Sequence, residues 1–220
     1  AQKVEDIGSE DFVTAYSSPG NNPYMMYGYV KGYPLNSLWG FKYGGTWKSQ
    51  DEIDRNKVTK TYVNTGNVVG GARYYDIDHN GVLDQQDLIY QGNADPYIYG
   101  GLQNNFYWKG LKLGVYFTYS LGGKIYNYSE FYMAGSTFTN QYRYMSNAWH
   151  PVRNPNSDIP RAGAKTDAAL ASDFMIHDAS YLRLKNINLS YTLDLHKTRV
   201  PVKDVTFTVS GENLYLWKKY

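Results

Sequence analysis

The sequence predicts an all-β fold built from antiparallel strands. Three observations support this prediction. Tyrosine is unusually abundant, with 24 residues in 220, and aromatic residues reach 17% of the chain. Several stretches alternate between apolar and polar residues, which is the period of a strand with one apolar and one wet face. Two of these stretches are joined by the dipeptide Lys109-Gly110, a connection typical of a tight β-hairpin turn.

Composition limits the other classes of protein. The net charge is only +2, from 22 basic and 20 acidic residues, so we expect no nucleic-acid partner. The absence of cysteine excludes disulfides and thiolate metal sites. The sequence contains no run of 18 apolar residues, so we expect no transmembrane helix. Barrel strands would not be detected in this way, because their alternating apolar and polar residues average out in a hydropathy window. The first residues, "AQKVEDIGSEDFV", do not resemble a signal peptide, so we expect either a mature chain or a piece of a longer one.

The first 47 residues give one weak strand signal. Residues 1–26 are polar, contain turn formers and show no clear period, so they are assigned as a polar leading segment. After them, Trp39, Phe41 and Tyr43 are predicted on one face of a single strand, which Pro34 and several glycines would bend or bulge. Residues 48–72 are polar, with one helical turn expected in "SQDEIDRN".

The strongest alternation lies around Lys109-Gly110. One strand should carry Leu102, Phe106 and Trp108 on a single face, opposed by Gln103, Asn105 and Tyr107. The next strand should present, on one face, Leu111, Leu113, Val115, Phe117 and Tyr119. Its other face should present Lys112, Gly114, Tyr116, Thr118 and Ser120.

A second hairpin is expected near the end of the chain. Its first strand alternates Ile187, Leu189, Tyr191 and Leu193 against Asn186, Asn188, Ser190 and Thr192. Its second strand alternates Val205, Phe207 and Val209 against Thr206, Thr208 and Ser210. The connecting turn falls within residues 194–202. About five strands are therefore expected, with short turns at 109–110 and 194–202 and long loops at 48–97 and 123–178. This asymmetry is typical of an outer-membrane barrel, but the pattern alone fits a soluble β-sandwich equally well.

The stretch "DIDHNGVLDQQD", residues 76–87, has the register of an EF-hand-type calcium loop. Its predicted ligands, at positions 1, 3, 5, 7, 9 and 12, are Asp76, Asp78, Asn80, Val82 through its carbonyl, Asp84 and Asp87. Gly81 at position 6 permits the sharp turn. A Ca²⁺ ion would remove the repulsion between carboxylates ~4 Å apart, which amounts to about 1 to 4 kcal/mol depending on the local dielectric.

Two details limit the role expected for this ion. Position 12 is Asp rather than Glu, so bidentate closure is less assured, and His79 at position 4 should point outward. No helix pair flanks the loop, so we expect a structural ion that fixes a long loop rather than a sensor. The alternative is a hydrated Asp/Asn/Gly turn that binds nothing.

Five stretches together resemble the SusC-like TonB-dependent transporters of the Bacteroidetes outer membrane. They are "GYPLNSLWGFKYGGTW", "YYDIDHNGVLDQQDLIYQGNADPYIYGGLQNNFYWKGLKLGVYFTYSLGGKIYN", "NAWHPVRNPNSDIPRA", "ASYLRLKNINLSYTLD" and "VSGENLYLWKKY". They cover most of residues 30–220, and their order is more specific than any one piece.

The resemblance implies a 22-stranded barrel with an N-terminal plug. Residues 27–220 would then be the C-terminal part of that large transmembrane β-barrel, without the plug, the TonB-contacting segment and the final strand. The long loops at 48–97, with the calcium-type site, and at 123–178 would be extracellular. The apolar rows beginning at Leu111 and Ile187 would face lipid, and aromatic residues near strand ends would form interfacial girdles.

The resemblance also implies partners and a location in the cell outer membrane. The family imports oligosaccharides or peptides with a SusD-like surface lipoprotein, driven by TonB through the missing N-terminal part. Loops carry function, so Trp149 and "HPVRNPN" could contact substrate or lipoprotein, or could simply brace the loop.

Two other classes of function were weighed. For an enzyme, the four histidines are scattered without metal-ligand spacing and no nucleophile or phosphate-binding motif occurs, so none is expected. A secreted, calcium-stabilised carbohydrate-binding β-domain explains the aromatic residues, the acidic loop and the alternation. It explains the long irregular stretch at 123–178 poorly.

Overall fold

The computed structural model describes residues 3–9, 12–18, 22–56, 58–60, 67–133, 140–162, 172–197 and 201–219. Strands dominate its secondary structure. They are β1 (Phe12–Ser18), β2 (Asn22–Val30), β3 (Ser37–Gly40), β4 (Tyr43–Thr46), β5 (Thr59–Lys60), β6 (Ala72–Tyr74), β7 (Val82–Leu83), β8 (Ile89–Asn93), β9 (Ile98–Trp108), β10 (Leu111–Leu121), β11 (Lys124–Tyr126), β12 (Ile176–Asp178), β13 (Tyr181–Asp194) and β14 (Asp204–Lys218). Two short α-helices, α1 (Gln50–Asn56) and α2 (Tyr128–Met133), and 3₁₀ turns at Gln85–Asp87, Arg143–Asn147 and Asp173–Met175 complete the set. None of these helices is long and apolar enough to cross a membrane.

The chain divides into two compact units. We call Ala1–Ala94 with Lys124–His177 the loop unit, and Asp95–Gly123 with Asp178–Tyr220 the sheet unit. The sheet unit contains the two predicted hairpins, and the loop unit contains the acidic loop. The predicted boundaries at residues 26 and 27, and the extracellular assignment of 48–97 and 123–178, stay predictions.

The sheet unit is one four-stranded antiparallel sheet in the order β14-β13-β10-β9. The turn between β9 and β10 lies at Lys109 and Gly110, with φ of 45° and 85°. Positive φ at both central residues is the geometry of the type I′ hairpin turn, whose twist matches that of the strands. The alternation predicted for these four strands is confirmed, and the strands run several residues longer than the alternating cores suggested.

The register aligns residues of like character across the sheet. One apolar row runs through Phe106, Leu113, Leu189 and Val209, because each is the direct partner of the next. The neighbouring positions Asn105, Gly114, Asn188 and Ser210 form a row on the opposite face. A polar cavity of about 340 Å³ lies on that face and is lined by residues of all four strands, among them Gln103, Lys112, Asn186 and Thr208. The two faces therefore differ sharply in polarity.

A register shift keeps the apolar face continuous beyond Ile187. Val115 and Phe117 lie on the same face of β10, and they pair with Ile187 and Leu184 of β13. The apolar face of β13 therefore changes from odd-numbered residues to even-numbered residues between these two positions. A second shift between β13 and β14 pairs Leu184 with Tyr215. One extra residue in a strand moves all later side chains to the other face, so each shift acts as a β-bulge. The alternation within a single strand does not predict these bulges.

The loop unit is assembled from small sheets. The largest has the order β1-β2-β3-β8, and the two-stranded pairs are β4-β6, β5-β7 and β11-β12. The pairing of β5 with β7 is parallel, a short exception to the predicted antiparallel arrangement. Its largest buried cluster consists of Phe41, Ala72, Tyr74 and Leu83. A second cluster consists of Leu38, Tyr126 and Met175.

Two predictions for the first 47 residues were incomplete or wrong. The single strand expected through Trp39, Phe41 and Tyr43 is instead two strands, β3 and β4, which belong to different sheets. All four residues of β3 are buried, so both faces of this strand are covered. The alternation of its residues therefore does not distinguish a buried face from an exposed one. In the leading segment, where no strand was predicted, β1 pairs with β2 in an antiparallel hairpin. The helical turn expected in "SQDEIDRN" is confirmed by α1.

Candidate functional site

The acidic loop is held at both ends by the first buried cluster. Tyr74 ends β6 just before the loop, and Leu83 lies in β7 within it; both are buried against Phe41. Leu88, directly after the loop, packs against the same cluster. The Thr59 N–H also donates to the carbonyl of Gly81 at 2.9 Å. The polar residues of the loop are therefore positioned by apolar neighbours on either side.

The turn inside the loop has the geometry that its register predicts. Gly81 at position 6 has φ of 83°, a left-handed conformation that glycine adopts without steric cost. Side-chain oxygens tighten the turn: Asp78 accepts from the Asn80 N–H at 3.1 Å, and Asn80 accepts from the Val82 N–H at 2.7 Å. His79 is exposed, as expected for position 4.

Three of the predicted ligands converge. One carboxylate oxygen from each of Asp76, Asp78 and Asp87 lies within 4.8 Å of the other two. Oxygens bound to Ca²⁺ at 2.3–2.6 Å can be at most about 5.2 Å apart, so these three fit around a single ion. Asp87 is fully buried, and its two oxygens accept from the N–H groups of Ile77 (2.6 Å) and Asp84 (2.9 Å).

One oxygen of this cluster has no hydrogen-bond donor among the residues that the structure describes. Oδ2 of Asp76 accepts from the Gly81 N–H at 2.8 Å, whereas its Oδ1 is buried and accepts no hydrogen bond from those residues. A buried carboxylate oxygen without a partner is costly, and a cation removes that cost. The donor set, hard oxygens only, fits Ca²⁺ better than a soft metal.

The pKa values of two of the carboxylates are shifted in opposite directions. Burial raises the pKa of Asp87 above its ordinary value, against the opposing hydrogen bonds from Asp84 and Ile77, because burial disfavours the charged form. For Asp76, burial also acts upward, but hydrogen bonds led by the Gly81 N–H outweigh it and hold the pKa below its ordinary value.

The other three predicted ligands have different local roles. Asp84 lies outside the three-carboxylate cluster; its Oδ1 accepts from the Gln86 N–H and caps the 3₁₀ turn. Asp87 closes a capping box with it, a feature that the D-x-x-D spacing could have predicted. Asn80 is exposed and Val82 is half-buried, each adjacent to the turn. The ligand set as a whole stays a prediction.

Comparisons with known proteins identify the class to which this fold belongs. No family model matches the chain. It is similar in structure to the RagAB peptide transporter, with a TM-score of 0.70 and 23% identity over 96% of this chain and 21% of that one. It is also similar to the RagAB peptide importer in the 'open-open' state, with a TM-score of 0.67 and 22% identity over 99% of this chain and 22% of that one. The fold is thus that of part of an outer-membrane TonB-dependent transporter barrel.

Sequence comparison gives the family. Two relatives come from Formosa agariphila. TonB-dependent receptor P26 is 31% identical over 99% of this chain and 22% of its own length. TonB-dependent receptor P3 is 30% identical over 86% of this chain and 18% of its own length. The chain is homologous to a segment of TonB-dependent receptors and spans about a fifth of the curated relatives it matches. The resemblance to this class of transporter is confirmed, and its relatives are receptors and transporters rather than enzymes, as expected.

Proposed function

We propose that this chain is part of an outer-membrane TonB-dependent transporter that imports oligosaccharides or peptides together with a SusD-like lipoprotein. The observation that carries the proposal is the sheet unit, whose apolar side chains form continuous rows, exposed in β9 and β14 and half-buried in β10, while the opposite face is polar. In water such a surface is unfavourable, whereas it is the ordinary outer surface of a barrel wall.

Strand lengths support a membrane-spanning role. The four strands of the sheet unit have 11, 11, 14 and 15 residues, and about 9–11 residues span the bilayer when tilted. Aromatic residues lie near strand ends, including Trp108, Tyr215 and Trp217, where a barrel carries its interfacial girdles. Open strand edges are not tolerated in lipid, so these four strands need the remaining strands of a barrel.

We propose the substrate and the partners from the similarity to known transporters. RagAB is described as a peptide importer that adopts 'open-open' and 'closed-closed' states. By analogy, we propose a SusD-like lipoprotein that opens and closes over the barrel, outer-membrane lipids around the apolar rows, and TonB acting through another part of the protein. A net charge of +2 gives no support to a nucleic-acid partner.

For the acidic loop we propose a structural Ca²⁺ ion. Asp76, Asp78 and Asp87 would supply the converging carboxylates, with Asn80, the Val82 carbonyl and Asp84 as the further ligands that the register predicts. The unpaired Oδ1 of Asp76 supports this proposal most directly. The ion would fix the long loop between β6 and β8.

The membrane assignment is tested on the full-length protein that contains this chain. Cell fractions are separated and probed with an antibody against the sheet unit. We expect the protein in the outer-membrane fraction, with migration on gels that changes on heating, as folded barrels show. Recovery as a water-soluble protein would contradict the proposal and favour the calcium-stabilised carbohydrate-binding domain.

The calcium proposal has its own test. Limited proteolysis of the full-length protein in outer-membrane vesicles is followed with Ca²⁺ and with a calcium chelator. Chelation should accelerate cleavage near residues 76–87 in the wild type, and Asp76→Asn should abolish the difference. Asp54→Asn in α1 is the matched control, since Asp54 is exposed and its Oδ1 accepts from the Gln50 side chain at 2.8 Å, away from the acidic loop. Identical cleavage with and without Ca²⁺ in the wild type would contradict a bound structural ion.

A further inference from the structure

A cleft in the loop unit has the size of a small-molecule site. Its volume is about 550 Å³, within the range of about 300–1,000 Å³ common for ligand pockets. Residues 145–162 form most of its wall, and Val69 contributes from the turn before β6. Apolar side chains such as Met145, Ala148 and Pro151 line it beside a few polar groups.

Backbone hydrogen bonds fix the walls of this cleft. His150 and Asn154 exchange two backbone hydrogen bonds of 3.3 and 3.1 Å, closing a small loop. The Trp149 N–H donates to the carbonyl of Ile159 at 2.8 Å. The Arg161 N–H donates to the carbonyl of Gly70 at 2.9 Å. A cleft with walls held this way is largely formed before a ligand arrives, which lowers the ordering cost of binding.

The charged groups of the cleft are cations. Arg153 and Arg161 line it, and none of the described lining residues carries a carboxylate. Among the described residues neither guanidinium has an ion pair. By contrast, Arg73 elsewhere in the same unit pairs with Glu52 at 2.6 Å. Within the part of the chain that the structure describes, the positive charge of the cleft has no compensating carboxylate.

Two neighbouring side chains add donors. Nδ1 of His150 accepts the N–H groups of Val152 and Arg153, both at 3.2 Å, so in the neutral ring the proton sits on Nε2, which is then a donor. The indole N–H of Trp149 is buried and has no acceptor among the described residues. Buried donors normally make a hydrogen bond, so this N–H also favours a ligand that carries hydrogen-bond acceptors.

We propose that this cleft binds a carboxylate group of the imported substrate, from a uronic acid unit of an oligosaccharide or from an acidic side chain or terminus of a peptide. Arg153 and Arg161 would bind the carboxylate through charge-assisted, bidentate hydrogen bonds. The apolar wall would accommodate the rest of the residue. The inference rests on the proposed transport function, because it is transport that brings such a ligand to the loop unit. A concave cleft of this volume suits a small ligand better than the broad, flatter surface of a protein partner.

The test measures binding to the purified full-length protein by isothermal titration calorimetry at low salt. The probes are a uronic acid disaccharide with its neutral counterpart, and a diglutamyl peptide with its C-terminally amidated diglutaminyl counterpart, which carries no carboxylate. We expect one acidic probe to bind at least about tenfold more tightly than its neutral counterpart, as a charge-assisted contact implies. The pair that shows the difference identifies the source of the carboxylate. Arg153→Gln and Arg161→Gln should each remove that advantage.

Controls separate binding from folding. Arg143→Gln is the matched control, since Arg143 is exposed and lies outside the lining of the cleft. Arg161→Lys keeps the charge and should retain part of the affinity, and heat-modifiable migration verifies that each variant is folded. Equal affinity for acidic and neutral probes would overturn the proposal. So would unchanged affinity in both glutamine variants, or arginine variants that weaken only the association with a protein partner. If any of these three results is obtained with a protein recovered from the outer membrane, this inference is wrong and the proposed transport function stands.

Discussion

The loop unit and the sheet unit are built on opposite principles. Every described hydrophobic side chain that is buried belongs to the loop unit, including Leu38, Phe41 and Met175, each with 0% exposure. The described part of the sheet unit buries no hydrophobic side chain and exposes many, with Trp108 at 68% and Val209 at 73%. Yet the sheet unit has the longer strands and the more regular hydrogen bonding.

This difference shows that regular backbone pairing and burial are independent sources of stability. The loop unit uses short strands and 3₁₀ turns, and apolar clusters hold its irregular backbone in place. In the sheet unit the strands are held together by backbone pairing, and the described residues of the unit do not bury its apolar rows. Under the proposed function that environment is lipid, where exposed apolar side chains are favourable.

The largest effect is expected from the core of the loop unit. Phe41→Ala should destabilise that unit by about 3–5 kcal/mol, since it removes a fully buried aromatic side chain and leaves a cavity. Limited proteolysis of the full-length protein should show much faster cleavage within the loop unit. Phe207→Ala, at a position 60% exposed in the sheet unit, is the matched control and should leave that cleavage unchanged. Equal acceleration by both variants would mean that the two units do not differ as described.

The next effect tests the two faces of the sheet unit. Leu189→Arg places a charge in an apolar row and should cost about 2–4 kcal/mol in a bilayer, whereas Asn188→Arg on the polar face should cost little. The measurement is the urea concentration that unfolds the full-length protein in phospholipid vesicles, followed by heat-modifiable migration. If the two neighbouring substitutions have the same effect, the apolar rows do not face lipid.

A smaller difference in stability is expected between a buried hydrogen bond of the loop unit and an exposed one of the sheet unit. In the loop unit, Glu130 is 5% exposed and accepts from the Tyr144 hydroxyl at 2.6 Å, so Tyr144→Phe should cost about 1.5–3 kcal/mol. In the sheet unit, the exposed hydroxyls of Thr192 and Thr206 are 2.9 Å apart, and Thr206→Val should cost about 1 kcal/mol or less. Proteolysis reports the first variant and urea unfolding the second. A larger cost for the threonine variant would contradict the assignment of buried polar contacts to the loop unit.

The smallest effect is expected from a surface ion pair. Arg55 pairs with Asp51 one helical turn away, and both side chains are over 70% exposed, so Arg55→Ala should change stability by about 0.3–0.5 kcal/mol. Arg73→Ala should cost more, since Arg73 is 27% exposed, pairs with Glu52 and lies over the ring of Trp47. Proteolysis of the two variants at low and high salt makes the comparison. A larger effect for Arg55 would show that burial does not set the strength of ion pairs in this unit.

Local chemistry allowed part of the fold and the site to be predicted. The alternation of Leu111, Leu113 and Val115 survives in the structure, because side chains on a strand alternate whatever the strand packs against. The acidic loop keeps its turn at Gly81 and brings Asp76, Asp78 and Asp87 together, because its ligand spacing is a property of twelve consecutive residues. Asp84, also a predicted ligand, lies outside this cluster and its side chain caps a 3₁₀ turn, since hydrogen bonds to the nearest backbone compete with distant partners.

What only the tertiary structure decided depends on contacts distant in sequence. Trp39 and Tyr43 lie in different sheets because β3 pairs with β8 and β4 pairs with β6, strands that occur tens of residues later. The bulges that keep Leu184 on the apolar face are defined by register against neighbouring strands, and a strand read alone contains no register. The cleft beside Arg153 and Arg161 likewise exists only where residues 145–162 meet the turn before β6. The sequence by itself determined the strand period and the acidic loop, because both depend on residues that are neighbours in the chain. Sheet partners, register and cavities depend instead on contacts between residues that are distant in the sequence, and only the tertiary structure decides these.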